Sequence, residues 1–352
     1  MRVALVTMKT GHYDDSDGRH RFERVARHLA GRGHDVTVFC AQWWDTFEDR
    51  VERDGVAYRA VAEAPEVGSF TTRLPGLLAR ERPDVIHARP DPPAAVQAAS
   101  VGRRLARAPL VAEWYGDEPI EEARLFERAA ALPDAVVTPS ELVRTAVREV
   151  GAAGEDTHVI PESIDRSTIR SVEPADEIDV VYSHRLDETA NAGSLLLGLA
   201  ELRDRDWSAT IVGDGPQRGS YERQAADLRI DDRITFAGAC DTERRVAVYK
   251  GAHAFVQTAS RASFATELLR GLACGCVGIV EYQAESSAHE LIREHERSFR
   301  VTDPQGVAEA IVDAGQFDRM TVDEDWRDYD HDAVLEQYLD VYRDVVDDYG
   351  LF

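Results

Sequence analysis

The sequence predicts an α/β protein of two domains, each built on a parallel sheet, and three observations carry that expectation. From the N-terminus onward, short apolar runs alternate with amphipathic or Ala-rich helical stretches, the pattern a parallel α/β domain requires. After Pro174 the alternation begins again as a second cycle. Residues 260–292 then read as a loop, a short apolar helix, a buried strand and a second, acidic helix start, whose loops would line a crevice at the carboxyl edge of a sheet.

In the first cycle, strands are expected at 3–6, 36–39, 85–87, 110–112, 135–137 and 157–160. In the second they are expected at 179–183, 208–212, 234–237, 254–257 and 277–280. The last run is too short for a helix, and Gly275 ends the helix expected over 267–274. That helix opens just after Phe264, Ala265 and Thr266, so its free N–H groups and positive dipole end would face an anion such as a diphosphate. Residues 162–177, with Pro161 and Pro174, are the expected hinge, dividing the chain into domains 1–165 and 166–330. A closing helix over 331–349 carries Val334, Leu335, Tyr338, Leu339, Tyr342 and Val345 at near-helical spacing.

A chain of 352 residues with 43% hydrophobic content can bury two cores, which argues against disorder. Its net charge is −24, from 65 acidic against 41 basic residues, and Lys9 and Lys250 are the only lysines. This combination suggests adaptation to molar salt, as in halophilic archaea, where a Debye length of about 3 Å would relieve the self-repulsion of such a surface; an ordinary acidic protein is the alternative. Charge is uneven: 21 basic and 28 acidic residues run through Asp165, against 20 and 37 from Arg166 onward. Arg19, Arg21, Arg24, Arg27 and Arg32 cluster in one expected helix with Glu23 as the only acid among them. That helix is a candidate contact for an anionic acceptor or a phospholipid surface, or else a solvated face over the core. No nucleic-acid partner is expected. No run reaches the roughly 18 apolar residues of a membrane span, and no signal-peptide pattern opens the chain, so a cytoplasmic protein is expected, with peripheral contact at the inner membrane face. Cys40, Cys240, Cys274 and Cys276 fit neither a disulfide framework nor a zinc spacing and read as small buried residues.

Several motifs in series carry a family resemblance: residues 1–39 as strand, glycine loop, helix and second strand; Pro83-Asp84-Val85-Ile86-His87; Pro133-Asp134-Ala135-Val136-Val137-Thr138-Pro139-Ser140; Val159-Ile160-Pro161-Glu162-Ser163-Ile164-Asp165; Ile211-Val212-Gly213-Asp214-Gly215-Pro216; and residues 260–292. Their order along nearly the whole chain resembles retaining glycosyltransferases of family 4, which have the GT-B architecture of two facing Rossmann-like domains with parallel sheets and a last helix that crosses back onto the first domain. The resemblance implies transfer of a hexose from a nucleotide-sugar donor, with retention, to a glycan, lipid-linked or cell-surface precursor. It implies neither metal nor cofactor beyond the nucleotide-sugar substrate.

The resemblance also distributes the roles. On the donor side it points to Arg185 as the diphosphate clamp, to the Gly213, Asp214, Gly215 and Pro216 turn, to Phe264, Ala265, Thr266, Glu267 and Arg270, and to Ser287 and Glu290 in the following helix start. The family's phosphate Lys is missing, Ala190 and Asn191 standing in its place, and its pair of glutamates is replaced by Ala262 and Arg270. Glu267, one helical turn before Arg270, is the candidate substitute for the ribose contact, or simply a helix-start acid favoured by the dipole. In the first domain Tyr115 stands where many members have a sugar-facing His, with Glu113 or Asp117 as the candidate carboxylate near the developing oxocarbenium charge. Gly18, Arg19, His87 and Asp91 are acceptor-side candidates. Two other readings stay open: a degenerate paralogue that binds a sugar nucleotide or a partner without turnover, and a GT-B-like sugar-nucleotide epimerase.

Overall fold

The computed structural model describes residues 1–118 and 123–350. The chain forms two compact units, Met1–Glu162 with Asp332–Phe352, and Ser163–His331.

The first unit holds an eight-stranded sheet in the order β3-β4-β2-β1-β5-β6-β7-β8, built from β1 (Arg2–Val6), β2 (Asp35–Ala41), β3 (Arg50–Arg53), β4 (Val56–Ala62), β5 (Val85–Ala88), β6 (Leu110–Glu113), β7 (Ala135–Thr138) and β8 (Thr157–Val159). Every pairing is parallel except β3 with β4. Because both faces are covered, the parallel strands read as nearly continuous apolar runs. One face packs on helices Val67–Glu81, Pro93–Ala106, Ala123–Ala131 and Glu141–Glu149, through Phe70, Leu74, Leu78, Val96, Phe126 and Val143. The other packs on helices Asp17–Gly31 and His331–Gly350, whose Phe22, Val25, Leu29, Leu335, Tyr338 and Tyr342 share one core with Val3, Leu5 and Val38. The closing helix thus belongs to the first unit. The β3–β4 hairpin was not among the expected strands; its turn is Asp54-Gly55, both at positive φ, which is the strongest short hairpin signal in a sequence.

The second unit repeats the plan with six parallel strands in the order β11-β10-β9-β12-β14-β16: β9 (Ile178–Ser183), β10 (Ala209–Val212), β11 (Ile234–Gly238), β12 (Ala252–Gln257), β14 (Val277–Glu281) and β16 (Ser298–Val301). A separate parallel pair joins β13 (Arg261–Ala262) to β15 (Glu285–Ser286). Leu195, Leu199, Ala225 and Val307 cover one face of the main sheet, and Val246, Tyr249, Leu268, Leu269, Leu272 and Trp326 the other. The edge strand β16, with Arg300 exposed between half-buried neighbours, carries too little apolar signal to read from sequence. The region expected as a hinge contains a short helix, Arg166–Ser171, N-capped by Asp165.

The basic face expected on helix Asp17–Gly31 is not free, which corrects the anionic-surface reading. Arg19 pairs with Asp14 and Asp91, Arg21 is buried against Glu113, Arg24 pairs with Glu162, and Arg32 pairs with Asp332 and Glu336. Only Arg27 of that group is exposed without a described ion pair. The helix start and core contacts use the arginines to tie the unit together, leaving little positive charge for a phospholipid headgroup.

Candidate functional site

In the first unit, a cavity of about 260 Å³ opens at the carboxyl edge of β1 and β5, lined by Lys9, Asp14, Asp15, Ser16, Arg19, Arg89, Asp91 and Asp117. It forms there because β1 and β5 are neighbours and the chain leaving β1 turns into helix Asp17–Gly31, capped by Ser16. Arg89 is its deepest member at 1% exposure, and its Nη2 donates to Asp117 at 2.9 Å and Glu118 at 3.4 Å. Its Nε and Nη1 have no hydrogen-bond partner among the described residues. Glu118 accepts from the backbone N–H groups of Tyr115 at 2.9 Å and Gly116 at 2.8 Å, and burial pushes its carboxyl up to about 7 against the pull of Arg89. Gly18 lies against the cavity's side chains: its N–H donates to Asp117 at 3.1 Å, and a Cβ there would stand 2.8 Å from the Arg89 guanidinium and the Asp117 carboxylate, which would have to shift. Gly18, Arg19, Asp91 and Asp117 therefore converge on one place. Arg89 belongs to the acceptor-side candidate segment His87-Ala88-Arg89-Pro90-Asp91, and it is the member of that segment buried deepest against the cavity.

His87 and Glu113 are placed elsewhere, and this corrects both assignments. Glu113 is 2% exposed, and its Oε1 accepts from Arg21 Nε at 2.5 Å and from the Tyr338 hydroxyl at 2.6 Å. Arg21 goes on to donate to the carbonyls of Ile160 and Pro161 at 2.7 and 2.8 Å, so the Ile-Pro-Glu motif is anchored by this arginine. His87 is fully buried, bonded through Nδ1 to the Tyr342 hydroxyl at 2.7 Å and 3.3 Å from Glu113. Both side chains leave the sheet on the face covered by the closing helix and hold that helix down. Neither lines the cavity. Tyr115, 3% exposed and with its hydroxyl pushed well up by burial, is also absent from the lining.

Burial lowers His87 to about 4, against the attraction of Glu113, so the folded state keeps it neutral. The unfolded chain takes up a proton near pH 6.5, so stability is full above that pH and falls as pH drops toward 4, by about 3 kcal/mol across the window. Glu118, raised to about 7, contributes the opposite slope over much of the same range, so the test is the difference in denaturation midpoint between the native chain and His87→Phe, which should narrow as pH falls from 7 to 4.5.

In the second unit, the turn Gly213-Asp214-Gly215-Pro216 follows β10 and lies directly on the chain leaving β9. Gly213 has φ +128° and a Cβ there would fall 2.0 Å from the His184 carbonyl oxygen; one at Gly215 would fall 2.4 Å from that of Leu186. Leu186 N–H donates to the Asp214 carbonyl at 3.0 Å and Gln217 N–H to the Leu186 carbonyl at 2.8 Å. The two glycines thus set the path of His184-Arg185-Leu186. Arg185 itself stands out from this frame, its side chain 71% exposed with only a 3.7 Å contact to Asp187. Ala190 is buried, and Asn191 exchanges hydrogen bonds with Thr258 at 3.0 and 2.9 Å, so the positions opposite the family's Lys serve to tie two loops together.

The loop 263–266 is held by Ser287, whose N–H donates to the Ala262 carbonyl at 2.9 Å and whose hydroxyl donates to that of Ser263 at 2.8 Å. Ala265 precedes the helix Thr266–Ala273 without a side-chain cap, leaving its first N–H groups open to a ligand or water. Glu267 accepts from Arg245 at 2.8 Å, from Arg270 and from the Tyr249 hydroxyl at 2.6 Å. Burial opposes its ionisation, but Arg270 and Arg245 outweigh burial and hold the carboxyl below its ordinary value. With three donors already on it, Glu267 orients two arginines rather than offering a free carboxylate to a ribose. Phe264 is half-buried, and Glu290 lies in the short helix Ala288–Leu291 that begins at Ser287.

Two family models divide the chain: Glycosyltransferase Family 4 over residues 20–168 and Glycosyl transferases group 1 over residues 164–316. The chain belongs to the family 4 glycosyltransferases of the GT-B fold. Solved structures agree on the fold. A glycosyltransferase from Rickettsia africae ESF-5 superposes with a TM-score of 0.79 at 15% identity, covering 98% of each chain. Anabaena HepE in complex with UDP gives 0.75 at 15% identity, over 98% of this chain and 100% of that one. Sucrose-phosphate synthase from Thermosynechococcus elongatus gives 0.75 at 17% identity, over 98% of each. No curated protein matches the sequence. Among the described residues of this glycosyltransferase, no helix is long and apolar enough to cross a membrane.

Proposed function

We propose that this glycosyltransferase takes a nucleotide-diphosphate sugar in its second unit, domain 166–330 of the sequence, and an acceptor glycan or lipid-linked precursor at the first, domain 1–165. The single observation that carries the donor assignment is Arg185: an arginine held by a glycine-built backbone frame at the carboxyl edge of a parallel sheet, yet left with an exposed and nearly unpaired fork. A planar guanidinium in that position suits the oxygens of a diphosphate. The uncapped start of helix Thr266–Ala273 supplies open N–H groups, and Arg245 and Arg270, oriented by Glu267, leave a net positive charge beside it. Structures of HepE with UDP and with UDP-glucose support a sugar nucleotide as ligand of this fold.

In the mechanism this implies, Arg185 and the helix start stabilise negative charge developing on the departing nucleoside diphosphate without a metal, and the anomeric carbon is passed to an acceptor hydroxyl with retention. The carboxylates of the first unit's cavity, Asp117 foremost, are the candidates for stabilising charge at the anomeric carbon, a role Glu113 is too buried to take. A second reading, a sugar-nucleotide-binding protein without turnover, draws on Ala190 and Asn191, whose places in the loop tie leave Arg185 without a lysine partner.

A thermal-shift screen of UDP, GDP, dTDP, ADP and their sugar conjugates in molar KCl tests the donor assignment, since a ligand at 100 times its Kd adds about 2.7 kcal/mol. One nucleotide should stabilise the protein; none doing so would contradict the donor reading, and binding without product release would favour the second. The acidic surface, with a net charge of −24, is read as a halophilic adaptation. Transfer from molar KCl to dilute buffer is expected to unfold the chain, and a far-UV spectrum indifferent to salt would refute that adaptation.

A further inference from the structure

At the amino edge of the second unit's sheet, opposite the edge that carries Arg185 and the glycine turn, three side chains from two separate segments converge. His295 precedes β16, while Asp323 and Asp325 belong to the segment that returns past the end of helix Thr266–Ala273, where Asp323 N–H donates to the Ala273 carbonyl at 2.9 Å. Their ligand atoms, an imidazole nitrogen and two carboxylate oxygens, all lie within 4.8 Å of one another. His295 and Asp323 have side chains only 8% and 7% exposed, while Asp325 is exposed.

The His295 Nε2 atom is buried and has no hydrogen-bond partner; the nearest Asp323 oxygen stands 3.9 Å away, beyond hydrogen-bond reach. A buried, unpartnered nitrogen aimed at two carboxylates is a costly arrangement unless something sits between them. Two metal bonds of about 2.0–2.2 Å to nitrogen and oxygen bridge the 3.9 Å between His295 and Asp323 with one ion between them, and the exposed Asp325 carboxylate has only to close in to join it. Asp323 is already oriented for this, because its Oδ1 accepts the Asp325 N–H at 3.0 Å and its Oδ2 is the oxygen that faces the imidazole.

We propose that His295, Asp323 and Asp325 form a structural site for a divalent transition metal, of the zinc, cobalt or manganese class, fastening the turn before β16 to the returning segment 318–330. One imidazole with two carboxylates selects such ions over magnesium and calcium, which favour all-oxygen shells. The site stands apart from the donor edge, so it is separate from the proposed catalysis.

Titration of the untagged full chain with Co²⁺, read by visible ligand-field absorption and by calorimetry, tests it. One equivalent should bind, and Asp325→Asn, an exposed change that leaves the core intact, should weaken it at least 10-fold while His295→Gln abolishes the absorption band. Zn²⁺ should raise the melting temperature of the native chain and not of Asp325→Asn. Acidic surfaces bind divalent ions diffusely, so the difference between native chain and Asp325→Asn is the deciding quantity. Absence of the band, or equal binding by both, would overturn the site.

Discussion

Glu113→Ala is expected to destabilise the protein by about 3–5 kcal/mol, because it leaves the buried Arg21 guanidinium without its counter-charge. Arg21 is 2% exposed and cannot turn to water, and the Tyr338 hydroxyl loses its acceptor in the same step. Burial opposes ionisation of Glu113, yet the Arg21 charge and the hydrogen bonds from Arg21 and the Tyr338 hydroxyl outweigh it and keep the carboxyl below its ordinary value, so Arg21 and Glu113 are both charged at neutral pH. The loss should appear as a lower denaturant midpoint at fixed salt, with Glu113→Gln less damaging because it keeps an oxygen for Tyr338. An unchanged midpoint would mean that helix His331–Gly350 is held by its apolar contacts alone.

Arg185→Ala is expected to do the opposite: no change in stability, since the side chain is 71% exposed, and a large loss at the donor site. A charge-assisted hydrogen bond contributes about 1.5–3 kcal/mol, so nucleotide binding should weaken roughly 10- to 150-fold. Arg185→Lys should recover part of the affinity, because a point charge remains where the planar fork is gone. A nucleotide Kd unmoved by Arg185→Ala would remove this residue from the site.

Most of the fold was legible because its strands are buried on both faces, so each reads as an apolar run that polar loops interrupt. What escaped were β4, whose apolar run is interrupted by Arg59, its charged hairpin partner β3, the two-residue pair β13–β15 and the half-exposed edge strand β16. The site was legible where backbone geometry dictates residue type, as at Gly213 and Gly215, where a Cβ would run into backbone carbonyls. Glu113 and His87 were misassigned because a position at the end of a strand does not say which face the side chain takes. Alternation does: Glu113 shares its face with Val111 and His87 with Val85, and both valines pack in the core under the closing helix. Glu267 could not be resolved from sequence at all, since its partner Arg245 lies 22 positions away on another helix.

The central claim is that a nucleotide binds the second unit at the carboxyl edge of its sheet, and hydrogen exchange of the full chain in molar KCl, with and without saturating UDP, tests it most directly. The account predicts slowed exchange at residues 184–187, 213–217 and 263–270, and no change around 295–301 at the opposite edge. Protection confined to residues 1–118, or none anywhere with any of the nucleotides, would contradict it.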